Sequence, residues 1–291
     1  MRILITGAKG QLGSELCSLL AKGTSVFGSV SPLYYEAEVL ATDSGALDIS
    51  NADAVSSCIA SFMPNLVINC AAFNDVDACE GNPKYAYGAN IRGPRLLAEE
   101  SKKQGAVFVH LSSDYVFSGD ASAPLSEQEA VGPINAYGKS KLQGEEEVRA
   151  VNKKSHIIRT AWLYGNNEEN FVRKILKQTQ KRDELRVVDD QFGSPTNAQD
   201  LAYEVLRIAQ TGDYGIWHCA NTGVCSRFEF ASAIVEIAGI DCGVKPQKTA
   251  EYAAAASRPA FSALENVRLR AITGDTMRSW QDALTDYLEN M

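Results

Sequence analysis

Three glycines at three-residue spacing, in Gly7-Ala8-Lys9-Gly10-Gln11-Leu12-Gly13, follow the apolar run Ile3–Thr6 almost at the start of the chain. A short strand that runs into a glycine turn and then into an amphipathic segment has few destinations. Glycine admits the tight turn, lets backbone N–H groups approach a pyrophosphate, and allows the next helix to sit close to the strand. Gly13 to Lys22 reads as that helix, with Leu16, Leu19 and Leu20 on one face. A bare strand–helix turn also accepts glycine. The position at the head of a βαβ-patterned chain favours a dinucleotide loop.

The same alternation continues. Val39–Thr42, Leu66–Ala71, Val107–Leu111 and a run starting at Ile157–Ile158 read as buried strands, with helices near Asn51–Phe62, Arg92–Gln104 and Asn135–Val151 between them. This pattern predicts an α/β chain with a Rossmann-type, doubly wound parallel sheet. After about Thr160 the pattern loosens. A helix at Asn170–Lys181, a strand at Leu185–Val188, a turn-rich loop at Asp189–Thr196, and helices at Ala198–Gln210, Arg227–Ala238 and Met277–Glu289 are expected there. With no Pro/Gly/Ser linker between the halves, the smaller C-terminal lobe is expected to interleave with the first. Residues 1–160, with a returning segment near 198–218, would form the dinucleotide-binding domain. Residues 161–197 and 219–291 would form the substrate-binding lobe.

Composition removes several classes. In 291 residues, 45% hydrophobic and 22% charged content is ordinary for a globular protein, which excludes a mostly disordered chain. A formal charge of −8 argues against general binding to nucleic acid or anionic membranes. No run approaches the ~18 apolar residues of a membrane helix, and glycine interrupts the N-terminus too soon for a secretory signal. Seven cysteines form no C-x-x-C pair and leave an odd count. The cytoplasm is the expected compartment.

The second chemical signal is Tyr137-Gly138-Lys139-Ser140-Lys141. On a helix Tyr137 and Lys141 share a face, and a nearby ammonium is expected to lower the tyrosine pKa toward working pH. Such a tyrosine can pass a proton to an oxygen while hydride reaches the adjoining carbon. An amphipathic surface helix would show the same spacing. Leu111-Ser112-Ser113-Asp114-Tyr115 adds hydroxyls just beyond a central strand, where open α/β sheets bind ligands.

Together these segments resemble the extended short-chain dehydrogenase/reductase family. Asn69 to Asp77, Ser113-Asp114-Tyr115-Val116-Phe117, Arg159 to Gly165, Asp190 to Thr196 and Ser257 to Ser262 resemble, within it, the dTDP-4-dehydrorhamnose reductases, in order over nearly the whole chain. The resemblance implies reduction of dTDP-4-dehydro-L-rhamnose to dTDP-L-rhamnose with NADPH or NADH. It makes Tyr137 the proton donor and Lys141 the holder of the nicotinamide ribose. Ser113 becomes the ketone's hydrogen-bond donor, with Ser112 its alternative. Gly7, Gly10, Gln11, Leu12 and Gly13 become the pyrophosphate loop. Asp48 and Ile49 become adenine contacts, and Ala71 and Ala72 the ribose side. Ser113, Asp114, Tyr115, Trp162 and Arg258 become substrate contacts, with Trp162 as an aromatic plane and Arg258 as a guanidinium for diphosphate oxygens. Core packing for Trp162 and a surface salt bridge for Arg258 are the plain readings.

Asp43 is a candidate for the adenosine ribose hydroxyls or a solvated residue; it lies further past Gly13 than usual, as an insertion around Ser25–Glu38 would explain. An acid there opposes a 2′-phosphate, so both NADPH and NADH stay open, with no evident arginine alongside. Asn90 matches a family asparagine or caps the following helix. His110, His156 and His218 are expected in the core. Asp75, Asp77 and Glu80 are the one cluster that could attract Mg²⁺, and a solvated loop explains them as well; no protein metal site is expected. Glu145–Glu147 read as a helix's wet face. A monomer or homodimer is expected. The rival readings are another nucleotide-sugar reductase or epimerase, and a non-catalytic regulatory subunit like that of methionine adenosyltransferase, which resembles these reductases and binds cofactor.

Overall fold

A computed structural model describes residues 1–167, 169–251 and 254–291. Its principal strands are β1 (Arg2–Thr6), β2 (Glu38–Thr42), β3 (Leu66–Asn69), β4 (Val107–Ser113), β5 (Ser155–Thr160), β6 (Glu184–Val188), β7 (Gly215–His218) and β8 (Gly243–Gln247). The principal helices are α1 (Gln11–Lys22), α2 (Ala52–Phe62), α3 (Gly93–Gln104), α4 (Ala136–Val151), α5 (Phe171–Thr179), α6 (Ala198–Ile208), α7 (Arg227–Ile237) and α8 (Trp280–Glu289).

Six strands form one sheet in the order β7-β5-β4-β3-β1-β2, every pair parallel. Side chains alternate across it, as the two-residue period of a strand requires. Ile3, Ile5, Leu66, Ile68, Val109, Leu111 and Ile158 pack with α1 and α6 on one face. Leu4, Val67, Phe108 and Ile157 pack with Val55, Leu97 and Val148 of α2, α3 and α4 on the other. A sheet covered on both faces explains why its strands are continuously apolar rather than alternating. This is the doubly wound α/β fold that the pattern predicts.

Connectivity places the cleft. From β1 the chain moves outward to β2, then crosses back past β1 to β3. The carboxyl ends of β1 and β3 therefore diverge into loops running in opposite directions, the switch point where open α/β sheets take ligands. Boundaries differ from expectation in two informative places. β4 continues through Ser113 because Ser112 and Ser113 keep their parallel register with Arg159 and Thr160. β3 stops at Asn69, where the Asn69 Oδ1 accepts from Thr6 Oγ1 at 2.7 Å and from Ala71 N at 3.2 Å and turns the chain. The segment near Ser25–Glu38 folds as a small hairpin and a turn, and its Tyr34 hydroxyl donates to Leu206 O at 2.6 Å.

The second lobe has its own core of Val172, Ile175, Leu185, Val187, Phe230, Ile234, Trp280 and Leu284, which joins α5, α7 and α8 to the parallel pair β6–β8. Among the described residues, all seven cysteines are free and no helix is long and apolar enough to cross a membrane.

Candidate active site

The cleft begins with an uncapped helix. Asn51, Asn135, Asn170, Asn197, Ser226 and Ser279 each cap their helix with a side-chain oxygen, whereas α1 starts at Gly10 with no side-chain cap. Its first N–H groups are donors in need of an acceptor, at the positive end of the helix dipole. The glycines bring that end within reach. Gly7 holds φ 67°, and a Cβ there would lie 2.6 Å from Ala71 N. A Cβ on Gly13 would overlap the Gly7 carbonyl oxygen. A buried Gln11 Oε1 has no hydrogen-bond partner among the described residues. This donor set and cradle fit a dinucleotide pyrophosphate.

Two adjoining hollows extend from this loop. One, of about 640 Å³, is lined by Gly7, Gly10, Asp43, Asp48, Ile49, Ala71 and Ala72. The other, of about 280 Å³, is lined by the loop and by Ser113, Asp114, Tyr137, Lys141 and Trp162. They share Gly7, Gly10, Cys70, Ala72 and Asn74, so the two form one elongated trough. At its outer end Asp43 is ion-paired with Lys9 and accepts from Gly45 N and Ala46 N at 2.9 and 3.0 Å. The Lys9 hydrogen bond holds its carboxyl below the usual range. A cation therefore stands beside this acid, although it is a lysine rather than an arginine. Asp48 accepts from the Ser50 hydroxyl and N–H, which lower its pKa in turn.

At the inner end, α4 presents Tyr137, Lys141 and Glu145 at four-residue steps toward β4. Strand alternation separates the two serines. Ser112 Oγ donates to Glu145 Oε1 at 2.5 Å, while Ser113 Oγ donates to Asp114 Oδ1 at 2.9 Å. The Tyr137 phenol donates to Asn74 Oδ1 at 3.4 Å, and the Ser113 hydroxyl lies beside it. The expected lowering of the tyrosine pKa does not occur. Burial pushes the Tyr137 phenol above its ordinary value, and the Ser113 hydroxyl beside it only partly offsets this. The Lys141 ammonium is turned to Leu111 O at 2.7 Å, and burial pulls its own pKa down to about 8 against the pull of Glu145.

Glu145 is the clearest correction. It is 1% exposed, not a wet-face residue. Arg159 donates to it through Nε at 2.9 Å and Nη2 at 2.7 Å, and the guanidinium carbon lies 5.2 Å from the Phe117 ring centroid. The four-residue step from Lys141 was the available signal, masked by the acidic residues beside it. Asn90 does not cap a helix either: it spans Phe73 N and O and donates to Ser140 Oγ at 2.9 Å.

The remaining candidates divide, with Asp114 and Trp162 lining the trough and the others placed elsewhere. Asp114 is buried, accepts from Ser262 Oγ at 2.6 Å, and is pushed by burial up to about 6. Tyr115 stacks edge-on against Tyr137 at 5.7 Å. Trp162 lines the trough with a left-handed φ of 46°. Arg258 forms a two-bond ion pair with Asp77, at 3.1 and 2.7 Å, as its plain reading has it. Asp75 caps a short helix through Ala78 N, and Glu80 accepts from Ala136 N. Asp75, Asp77 and Glu80 are thus occupied separately, and the described residues hold no group of acids, histidines or cysteines able to take a metal ion. His110, His156 and His218 are fully buried in the core. Arg227, which motif reading passed over, lies beside Tyr115 and over Trp162.

Comparison with known proteins finds relatives that match over the full length. Residues 1–291 match the model of the RmlD substrate binding domain. The spore coat polysaccharide biosynthesis protein SpsK of Bacillus subtilis (strain 168) is 40% identical over 290 residues, covering 99% of this chain and 97% of that protein. A crystal structure of a dTDP-4-dehydrorhamnose reductase from Clostridium acetobutylicum superposes with a TM-score of 0.94 at 44% identity, covering 100% and 99% of the two chains. The dTDP-4-dehydrorhamnose reductase of Bacillus anthracis, solved in complex with NADP, gives a TM-score of 0.92 at 37% identity, with 100% and 99% covered.

Proposed function

Because the chain belongs to the RmlD substrate binding domain family, we propose that it is a nicotinamide-dependent reductase converting the C4 ketone of dTDP-4-dehydro-L-rhamnose to the alcohol of dTDP-L-rhamnose. The observation that carries this reading is one trough that joins an uncapped glycine-loop helix to Ser113, Tyr137 and Lys141.

Bound NADPH or NADH supplies the hydride. Gly7, Gly10, Gln11, Leu12 and Gly13 would form the pyrophosphate loop, with the helix-start N–H groups of Gln11, Leu12 and Gly13 as donors and Gly10 N–H closing the turn on Gly7 O. Asp43, Asp48, Ile49, Ala71 and Ala72 line the adenosine side. Lys141, whose ammonium donates to Leu111 O, would also donate to the nicotinamide ribose. Ser113 donates to the ketone oxygen, which orients and polarises it. Tyr137 holds the proton that this oxygen takes as the carbon is reduced; as a phenol it is protonated at neutral pH and is placed as a donor rather than a base. On the substrate side Trp162 supplies a plane, and Asp114 and Tyr115 form the wall. Arg258, held by Asp77 next to Tyr115, reaches the nucleotide by exchanging that partner. Residues 1–160 with 198–218 thus serve the cofactor, and 161–197 with 219–291 serve the sugar nucleotide.

The test follows absorbance of NADPH and NADH, separately, with freshly generated dTDP-4-dehydrorhamnose, and identifies the product. Oxidation matched by dTDP-L-rhamnose is expected. Tyr137→Phe is expected to lower kcat by about 10²–10⁴-fold with cofactor affinity retained, the usual size of a general-acid contribution. Full activity in that variant removes Tyr137 as the donor. Cofactor binding without turnover of any 4-keto sugar favours a regulatory role.

A further inference from the structure

Trp162 is held in one position. Its backbone is left-handed, and its indole lies so close to Gly193 that any Cβ at that residue would overlap the ring. The guanidinium carbon of Arg227 sits 3.4 Å from the centroid of this indole and 5.3 Å from that of Phe171. Its backbone is fixed as well. Arg227 N donates to Gln191 O at 3.1 Å, and the residue opens α7 inside the Ser226–Glu229 capping box. A guanidinium so placed is within hydrogen-bonding reach of Tyr115 and close to Asp114, which lines the trough.

Charge accounting sets this arginine apart. Arg159, Arg207, Arg258 and Arg278 are all largely sequestered, and each meets a carboxylate at 2.7 Å. Arg227 is desolvated too, enough to pull its pKa down, and its hydrogen-bond partner is the neutral Tyr115 phenol; among the described residues it is in none of the ion pairs within 4 Å. Asp114 attracts this guanidinium from nearby but is not within ion-pair distance, and its oxygens accept from Ser113 and Ser262. Stacking on an indole compensates a cation only in part. A desolvated guanidinium without a directly paired carboxylate is costly, and an arriving anion relieves that cost.

We propose that Arg227 is a substrate-binding residue whose guanidinium, held flat on Trp162, takes the diphosphate of the nucleotide sugar. The proposal rests on the nucleotide-sugar reading above and extends it to a residue outside the motif set. Arginine suits the task because its planar fork pairs with two phosphate oxygens at once.

Calorimetry on the full-length protein tests it with two probes, dTDP and thymidine, which differ only in the diphosphate. Arg227→Met is expected to weaken dTDP by about 10- to 100-fold, the loss typical of a charge-assisted hydrogen-bonded pair. Thymidine affinity should change less than about threefold, and NADPH affinity should stay as in the wild type. Arg227→Lys, which keeps charge but loses the fork, should fall between; it also decides the matter if the methionine variant does not fold. Unchanged dTDP affinity overturns the proposal. So does an equal loss of dTDP and thymidine, which would mean that Arg227 merely shapes the Trp162 pocket. An Arg227-dependent dTDP site in a protein that reduces no dTDP-4-keto sugar would sink the reductase reading and leave the anion site standing.

Discussion

Asp114 shows how burial and chemistry meet at one residue. Its carboxyl is 2% exposed and its pKa rises from 3.8 to about 6 because burial disfavours the charged form. Between those values the folded state holds a proton that the unfolded chain has lost. Stability on this account therefore falls as pH rises from about 4 through 6, and the carboxylate remains a cost at neutral pH. Asp114→Asn is expected to be more stable than the wild type at pH 7.5 by about 2–3 kcal/mol. At pH 4 the two should converge. Urea denaturation at both pH values checks this, and an equal gain at each would refute the assignment. The tyrosine–lysine pair was legible at this scale because four-residue spacing is a local property of a helix. Its electrostatics were not. The phenol's pKa depends on how deeply Tyr137 lies between Tyr115, Asp114 and Cys79, which no local spacing encodes. Arg227 escaped for a related reason: its environment comes from Tyr115, Trp162 and Phe171, far away along the chain.

At the scale of elements, α4 lies close against its neighbours because of its small residues. A Cβ on Gly144 would overlap the Asn90 carbonyl oxygen, which is backbone and unable to swing aside. Gly81 has open space at the same point and an ordinary φ. Gly144→Ala is expected to lower stability by about 1–3 kcal/mol, as overpacking usually does, whereas Gly81→Ala should be neutral or slightly stabilising. Denaturant midpoints of the two variants give the comparison, and equal effects would mean that α4 can shift outward. Helix and strand identity was largely readable here from apolar periodicity. The ends were less so. β4 gains its last two residues from pairing with β5, and the six-residue π-helical stretch Tyr87–Arg92 leading into α3 carries no distinctive composition.

Across the whole molecule the main sheet and the second lobe are threaded through one another. The chain leaves the sheet after β5, builds β6 in the second lobe, returns to add β7 beside β5, and leaves again for β8. A chain joined this way should unfold in one cooperative transition, with near- and far-ultraviolet signals coincident. NADPH at a hundred times its dissociation constant should raise the unfolding free energy by about 2.7 kcal/mol without splitting that transition. Two separate transitions would show that the lobes are energetically independent. The threading also has a consequence in time. On the ribosome, β5 emerges well before its edge partner β7, and at roughly 5–20 residues per second the interval lasts several seconds. Throughout it, Ser155–Thr160 offers an unpaired backbone edge, the kind of surface on which nascent chains mispair. The step most exposed to chaperone dependence during biosynthesis is therefore the wait for Gly215–His218 to close the sheet.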